Sequence, residues 1–187
     1  VDGSPPPPAR VDVRTVLTAD LTAEETDRLR AFLDDAFDGG FGDDDWAHAL
    51  GGVHVLATVG GELAGHAAVV GRQLIVGEVT LRTGYVEAVA TGAAWRRRGI
   101  AGRLMDAVER LVTGGFELGA LASSEQGARL YLRRGWTPWR GPLAALTPQG
   151  TTATPDEQVF VLATPSTRVP LDPTGPLSCD WRRGDLW

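Results

Sequence analysis

The chain has 187 residues, 43% of them hydrophobic, which suits one globular domain with room for an appendage. Its 24 acidic residues outnumber 18 basic ones, and the net charge of −6 argues against a general nucleic-acid surface. All 18 basic residues are arginine, so a P-loop lysine, a kinase-type lysine and a Schiff-base lysine are excluded, and the single cysteine, Cys179, permits neither an internal disulfide nor a cysteine-rich zinc site.

There is no asparagine, hence no N-glycosylation sequon. No segment approaches the roughly 20 apolar residues of a membrane span, and nothing near the start has the apolar core of a signal peptide. The expected setting is reduced and cytoplasmic, with no membrane partner. Residues 1–10, with Pro5 to Pro8 in a row, read as a disordered lead-in, and 11–187 as a single domain.

Val11 to Leu17 alternates loosely and reads as an edge strand. Thr22 and Glu25 stand at capping-box spacing, and Leu29, Phe32, Leu33, Ala36 and Phe37 then recur at helical intervals until Gly39-Gly40. Asp43-Asp44-Asp45-Trp46 begins a short second helix. Val53 to Val59, the turn Gly60-Gly61, and Glu62 to Arg72 predict a β-hairpin. A turn near Gly77-Glu78 leads into a strand over Thr83 to Ala90.

Next comes "AWRRRGIAG", Ala94 to Gly102, and then a helical stripe of Ile100, Leu104, Val108, Leu111 and Val112. Phe116 to Leu121 predicts a buried strand, and Ser124 caps a helix running to Arg134. Beyond Trp136 the expectation is strand and loop, with a Thr/Pro/Gly-rich insertion at 147–155. Val159 to Leu162 is expected as the last strand, followed by a proline-rich tail. Antiparallel hairpins around a strand–helix–strand–helix centre suggest a mixed α/β sandwich.

The arginine turn joins a strand to a helix. A helix N-terminus carries unpaired N–H groups and partial positive charge, so an anion can settle there. Gly99 allows the backbone to approach closely, Ala101 keeps the first turn uncrowded, and arginines pair with phosphates. The glycine spacing of a dinucleotide-binding Rossmann fingerprint is missing. On local sequence alone, a solvated arginine cluster explains the segment equally well.

With the flanking strand "GYVEAVAT" and the later "RLYLRRGW", the chain resembles the GCN5-related N-acetyltransferase (GNAT) family. That family's Arg/Gln-x-x-Gly-x-Gly/Ala motif is met by Arg96, Gly99 and Ala101. The resemblance implies the GNAT fold, a mixed and mostly antiparallel central sheet flanked by helices, with acetyl-CoA as cosubstrate and no metal. It places the pantetheine arm on Val89, Ala90 and Thr91, and the pyrophosphate on Arg96, Arg97, Arg98, Gly99, Ile100 and Ala101. The segments "DDDWAHALGGVH", "TGYVEAVA", "LYLRRGWTPWRGP" and "CDWRRGDLW" look like the aminoglycoside 2'-N-acetyltransferases of actinobacteria. That likeness implies acetyl transfer to an aminoglycoside amine by a homodimer; an acetyltransferase of another small amine or peptide, and a non-catalytic acetyl-CoA-binding module, are the alternatives.

By the same resemblance Glu87 is the general base and Tyr131 the general acid. A solvated carboxylate is a weak base towards ammonium, so burial or a water chain has to assist Glu87; its bland alternative is a salt bridge to one of the nearby arginines. Tyr131 has its own alternative, packing against Gly127 or Gly135. The backbone N–H of Val89 is the expected oxyanion donor, freed by a strand bulge. Cys179 lies too deep in the tail for a covalent acetyl-cysteine, so direct attack is expected.

A polycationic substrate calls for an acidic pocket. Its candidates are Asp45, Glu87, Ala88, Asp156, Glu157, Asp185 and Trp187 with its terminal carboxylate. Helix capping by Asp45, solvated loop charges at 156–157 and pairing of Asp185 with Arg182 or Arg183 are the alternatives. Where relatives carry an aspartate and a serine, this chain has Gly40 and Ala122; Asp38 is a candidate compensating carboxylate for the first. His48, His54 and His66 form no triad or metal set by spacing and read as structural. Trp46, Trp95 and Trp136 are expected to pack, Trp181 and Trp187 to line a sugar pocket.

Overall fold

The computed structural model describes residues 10–187; the predicted lead-in lies outside them except for Arg10. Chain order gives strand β1 (Val11–Leu17), helix α1 (Ala23–Ala36), α2 (Asp43–Ala49), β2 (Val53–Val59), β3 (Glu62–Val76) and β4 (Val79–Thr91). Then follow α3 (Ile100–Gly115), β5 (Leu118–Ala122), α4 (Glu125–Arg133), β6 (Thr137–Pro138), β7 (Leu143–Thr147), β8 (Gly150–Ala153), β9 (Val159–Ala163) and β10 (Leu177–Cys179).

The ten strands among the described residues join one sheet, mostly antiparallel; eight stand in the order β6-β9-β5-β4-β3-β10-β7-β8, with β1 and β2 off that path. The long β3 serves two neighbours along one edge. Its first part, Glu62 to Val69, pairs with β2, which carries β1 outside it; its last part, Leu74 to Val76, pairs with β10. The β2–β3 hairpin closes through Gly60 and Gly61 at φ 60° and 85°, the left-handed pair that matches strand twist.

Two predicted boundaries were too tight. β3 and β4 both run further towards their shared turn, because Leu74 faces Leu81 across the ladder and both are buried. The 147–155 insertion is no loose loop: β7 and β8 form a hairpin there. Val159 to Ala163 is not the last strand either. Leu177 and Cys179 turn inward and β10 slots between β3 and β7, a strand of three residues and too short to show a period.

Alternation along β2 sends its side chains to opposite faces. Val55, Ala57 and Val59 pack with Ile100, Leu104 and Val108 of α3, while Leu56 packs with Leu29 and Leu33 of α1. α1 begins as predicted, with Glu25 N–H donating to Thr22 Oγ1 at 3.2 Å and Thr22 N–H to Glu25 Oε2 at 3.0 Å. α3 crosses from β4 to the parallel β5. It lies so close to β3 that a Cβ at Gly65 would stand 2.6 Å from Ile100 Cγ2, so only glycine fits there. α4 is moored at its C-terminal end. Arg134 donates to Glu109 Oε1 and Oε2 at 2.7 Å each, and Trp136 Nε1–H donates to Glu109 Oε1 at 3.0 Å.

Candidate active site

β4 and β5 run side by side only from Thr83↔Leu118 to Tyr85↔Ala120. Past Tyr85, β4 continues to Thr91 with no strand partner on that side among the described residues. At the parting point β4 also bulges: His66 pairs with Ala90 and Ala68 with Glu87, so Ala88 and Val89 share one opposing residue. Ala88 takes φ 49°, a left-handed conformation that costs an alanine about 1 kcal/mol. The bulge expected at Val89 is therefore present, and it opens into a cavity of about 410 Å³.

Four sequence-distant regions build that cavity. β4 gives Tyr85 to Val89; the α1–α2 region gives Phe37, Gly40, Phe41, Asp45 and His48. The end of β5 and α4 give Ala122 to Ser124, Gly127 and Tyr131, and the tail gives Arg182, Asp185 and Trp187. A second, more open cavity of about 480 Å³ adjoins it, lined by Asp43, Asp44, Asp45, Arg183, Gly184 and Asp185 with Gly42. Asp45 and Asp185 belong to both. The tail is held against α2 there, with His48 Nε2–H donating to the Arg183 carbonyl at 2.6 Å. A Cβ on Gly184 would meet Asp44 Cβ at 2.7 Å.

Tyr131 is buried, its ring near Phe160 and Trp136 with centroids 5.9 and 6.1 Å apart. It packs, a Cβ on Gly127 lying 3.5 Å from its Cε2, and it also borders the cavity. Burial pushes its phenol up to about 12, so the proton stays in place at any ordinary working pH. Cys179 is buried on β10, and burial pushes its thiol up as well, so no thiolate nucleophile forms there.

Glu87 is the base expected from the sequence, and it is not free. Arg182 Nη1 donates to Glu87 Oε1 in a largely buried ion pair, while Nε donates to the Asp185 carbonyl at 2.7 Å and Nη2 to the Trp187 carbonyl oxygen at 2.6 Å. The partner is a tail arginine, not one of the arginine turn. Arg182 also stands 5.4 Å from the Tyr85 ring centre, and Arg72 4.6 Å. Tyr85 is fully buried with its hydroxyl unpartnered, and desolvation, reinforced by the Glu87 charge, pushes its pKa far up.

Asp45 does cap α2, accepting from Gly42 N–H at 2.8 Å, yet its side chain still borders both cavities. Asp156 and Glu157 stand off the cavity wall. Glu157 is solvent-facing as a residue, but partial desolvation, then the nearby Asp185 charge, pushes its carboxyl pKa up. Trp187 lines the cavity, with Nε1–H donating to Thr154 Oγ1 at 2.7 Å; Trp181 does not line it and is half exposed. Gly40 and Ala122 both lie on the wall, and Asp38 does not, so it does not supply the missing carboxylate. Trp46, Trp95 and Trp136 pack as expected.

The arginine turn runs from the open edge of β4 to α3. Arg96, Arg97, Arg98 and Gly99 are exposed, while the Ile100 side chain is in the core and leaves only its backbone for a ligand. Gly99 sits at φ 79° and Arg97 at φ 63°, and no side chain caps the first turn of the 16-residue α3. Arg98 lies over the Trp95 ring at 5.1 Å. This cradle and the unpaired stretch of β4 fit a long ligand with a phosphate at one end and a hydrogen-bonding arm at the other. Among the described residues no cluster suits a metal ion, and no helix is long and apolar enough to cross a membrane.

Residues 18–139 match the acetyltransferase (GNAT) domain model, and the chain belongs to the GNAT acetyltransferase family. It is 47% identical over 177 residues to the aminoglycoside 2'-N-acetyltransferase of Mycolicibacterium fortuitum, covering 93% of this chain and 91% of that protein. Among solved structures, a Brucella melitensis GNAT acetyltransferase in complex with acetyl-CoA aligns with TM-score 0.58 at 17% identity, over 90% of this chain and 95% of that one. A Pseudomonas aeruginosa acyl-CoA N-acyltransferase aligns with TM-score 0.59 at 16% identity, over 82% and 100%. These two likenesses are of fold.

Proposed function

We propose that this chain transfers the acetyl group of acetyl-CoA to the 2'-amine of an aminoglycoside. The observation that carries the reading is one cavity in which Glu87, Tyr131 and the Val89 backbone meet the carboxylate of Asp45 and the backbone of the tail, at the point where β4 loses its neighbour. The near-full-length likeness to an enzyme named for that reaction supplies the substrate class. The Arg96 to Ala101 turn holds the pyrophosphate, Val89 to Thr91 hold the pantetheine arm, and acetyl-CoA supplies an activated thioester.

In that reaction the nitrogen–carbon bond forms as the carbon–sulfur bond breaks, giving an amide, a thiol and one released proton. Glu87 takes a proton from the arriving ammonium directly or through water, which requires that ammonium to replace Arg182 on its carboxylate. Val89 N–H donates to the thioester oxygen as it gains charge. Tyr131, held neutral by burial, donates to the departing sulfur and is reprotonated by the second proton the nitrogen loses. A thiolate leaves readily, so this last contribution is modest. Asp45 and Asp185, flanked by Glu157, orient the remaining amines.

The test is acetyl-CoA-dependent thiol release with tobramycin, which carries a 2'-amine, against kanamycin A, which carries a hydroxyl there. Turnover of tobramycin alone is expected. Turnover of both moves the reacting amine, and turnover of neither sinks the proposal.

A further inference from the structure

Behind the bulge lie two histidines whose chemistry the reaction above does not use. His54 on β2 and His66 on β3 are both fully buried. His66 Nδ1 stands 2.8 Å from the carbonyl oxygen of Ala88, His66 Nε2 is 2.9 Å from His54 Nδ1, and His54 Nε2 is 2.9 Å from Thr18 Oγ1. Gly51 N–H reaches the same hydroxyl at 3.0 Å.

Every proton in this chain can be assigned. A carbonyl oxygen only accepts, so His66 Nδ1 carries a hydrogen. A neutral ring then leaves His66 Nε2 bare, and it accepts from His54 Nδ1–H. His54 Nε2 is bare in turn and accepts from the Thr18 hydroxyl, whose alternative acceptor, the Gly52 carbonyl, is further off at 3.4 Å. The Thr18 oxygen accepts from Gly51 N–H. With both rings neutral this is the one arrangement in which every donor meets an acceptor, and a second proton on His66 would set its Nε2–H against His54 Nδ1–H. Burial enforces that state, lowering His54 and bringing His66 down to about 3.

The end of the chain matters most. Ala88 C=O and Val89 N–H belong to one peptide plane and, in a trans peptide, point in opposite directions. Tying the carbonyl to His66 on the β3 side turns the Val89 N–H to the side that β5 has vacated, where Val89 lines the cavity. Ala88 holds an unfavourable φ to do so, and strain of that kind persists only where something overdetermines it. We infer that His66, oriented by His54 and Thr18, is a positioning residue that locks the Ala88–Val89 peptide with its N–H aimed at the acetyl carbonyl. This rests on the acetyl-transfer reading above, and one arm of its test does not.

His66→Leu deletes the donor; His66→Asn keeps an N–H near the Nδ1 position. Steady-state kinetics with acetyl-CoA and tobramycin should show kcat about 10- to 100-fold lower in His66→Leu, less than removal of an oxyanion donor outright. Both KM values should stay within about threefold, and His66→Asn should recover most of the lost rate. A folded His66→Leu enzyme with wild-type kcat, or equal losses in the two variants, overturns the inference. The second arm needs no turnover. Imidazole 15N spectra of the wild-type protein should show Nδ1–H on both rings, and the Val89 amide resonance should move in His66→Leu but hold in His66→Asn. An Nε2–H tautomer at His66, or an unmoved Val89 amide, overturns it even if His66→Leu folds too poorly for kinetics. A wild-type enzyme inert towards tobramycin sinks the acetyl-transfer reading and leaves these spectra to decide the relay.

Discussion

The two ends of the cavity are built in opposite ways. The end proposed for acetyl-CoA is local: Val89 to Ala101 is one continuous run, strand into turn into helix, and its conformation is set by a few backbone angles. The end proposed for the substrate draws residues from α2, β4 and a tail without helix, fixed by side-chain contacts such as Arg182 with Glu87 and His48 with the Arg183 carbonyl. A continuous site of this kind announces itself as a motif. A composite one depends on pairings between residues 95 and 135 positions apart, which no window can see.

Variants at the join should hit hardest. Glu87→Gln keeps the shape but cannot take a proton, and we expect kcat to fall about 100-fold or more with KM for acetyl-CoA little changed. A rise in KM for the aminoglycoside with kcat unchanged would recast Glu87 as a binding carboxylate and Arg182 as its resident counterion. Tyr131→Phe should lower kcat about 10-fold, since thiolate leaves without much help. Stability above pH 10 reads the same residue independently. With its pKa raised from 10.0 to about 12, folded Tyr131 keeps a proton that the unfolded chain has already lost. Stability therefore falls as pH rises from 10 to about 12, by roughly 3 kcal/mol from this residue, and Tyr131→Phe should remove that share in urea titrations while the share due to buried Tyr85 remains.

Smaller effects should separate the two ends. Gly99→Ala imposes φ 79° on an alanine, costing about 1 kcal/mol. KM for acetyl-CoA should rise several-fold while that for the aminoglycoside holds; equal changes in both would mean the ends are coupled. Gly40→Asp restores a carboxylate on the cavity wall, its Cβ a tight 3.1 Å from the Phe37 carbonyl oxygen. It should lower KM for aminoglycosides two- to fivefold and leave acetyl-CoA alone, roughly the value of one screened charge pair.

Much of the fold was legible because its signals are periodic or punctuated: the Thr22 capping box, the Gly60-Gly61 turn and the α3 stripe all stand where the sequence puts them. β10 was not, since three residues carry no period, and the β7–β8 hairpin hid in a Thr/Pro/Gly-rich stretch that reads as loop. At the site, the positions of Glu87, Tyr131 and the bulge followed from the family resemblance. The tie between Arg182 and Glu87, the reach of Tyr85 into the cavity and the His54–His66 relay did not. The histidines were read separately as structural, and His54 faces His66 only through the register of the β2–β3 ladder, where His54 pairs with Ala68 and Leu56 with His66.

Arg182 changes what binding means at this site. A cleft of bare carboxylates would gather a polycation from a distance, and its grip would collapse as salt rises. Here one guanidinium already sits on Glu87 and on the Trp187 carbonyl oxygen, so docking trades one organic cation for another. If the aminoglycoside docks here as proposed, the cleft works as an ion exchanger, and the difference between the incoming and outgoing cations, more than the sum of the negative charges, sets what it will hold.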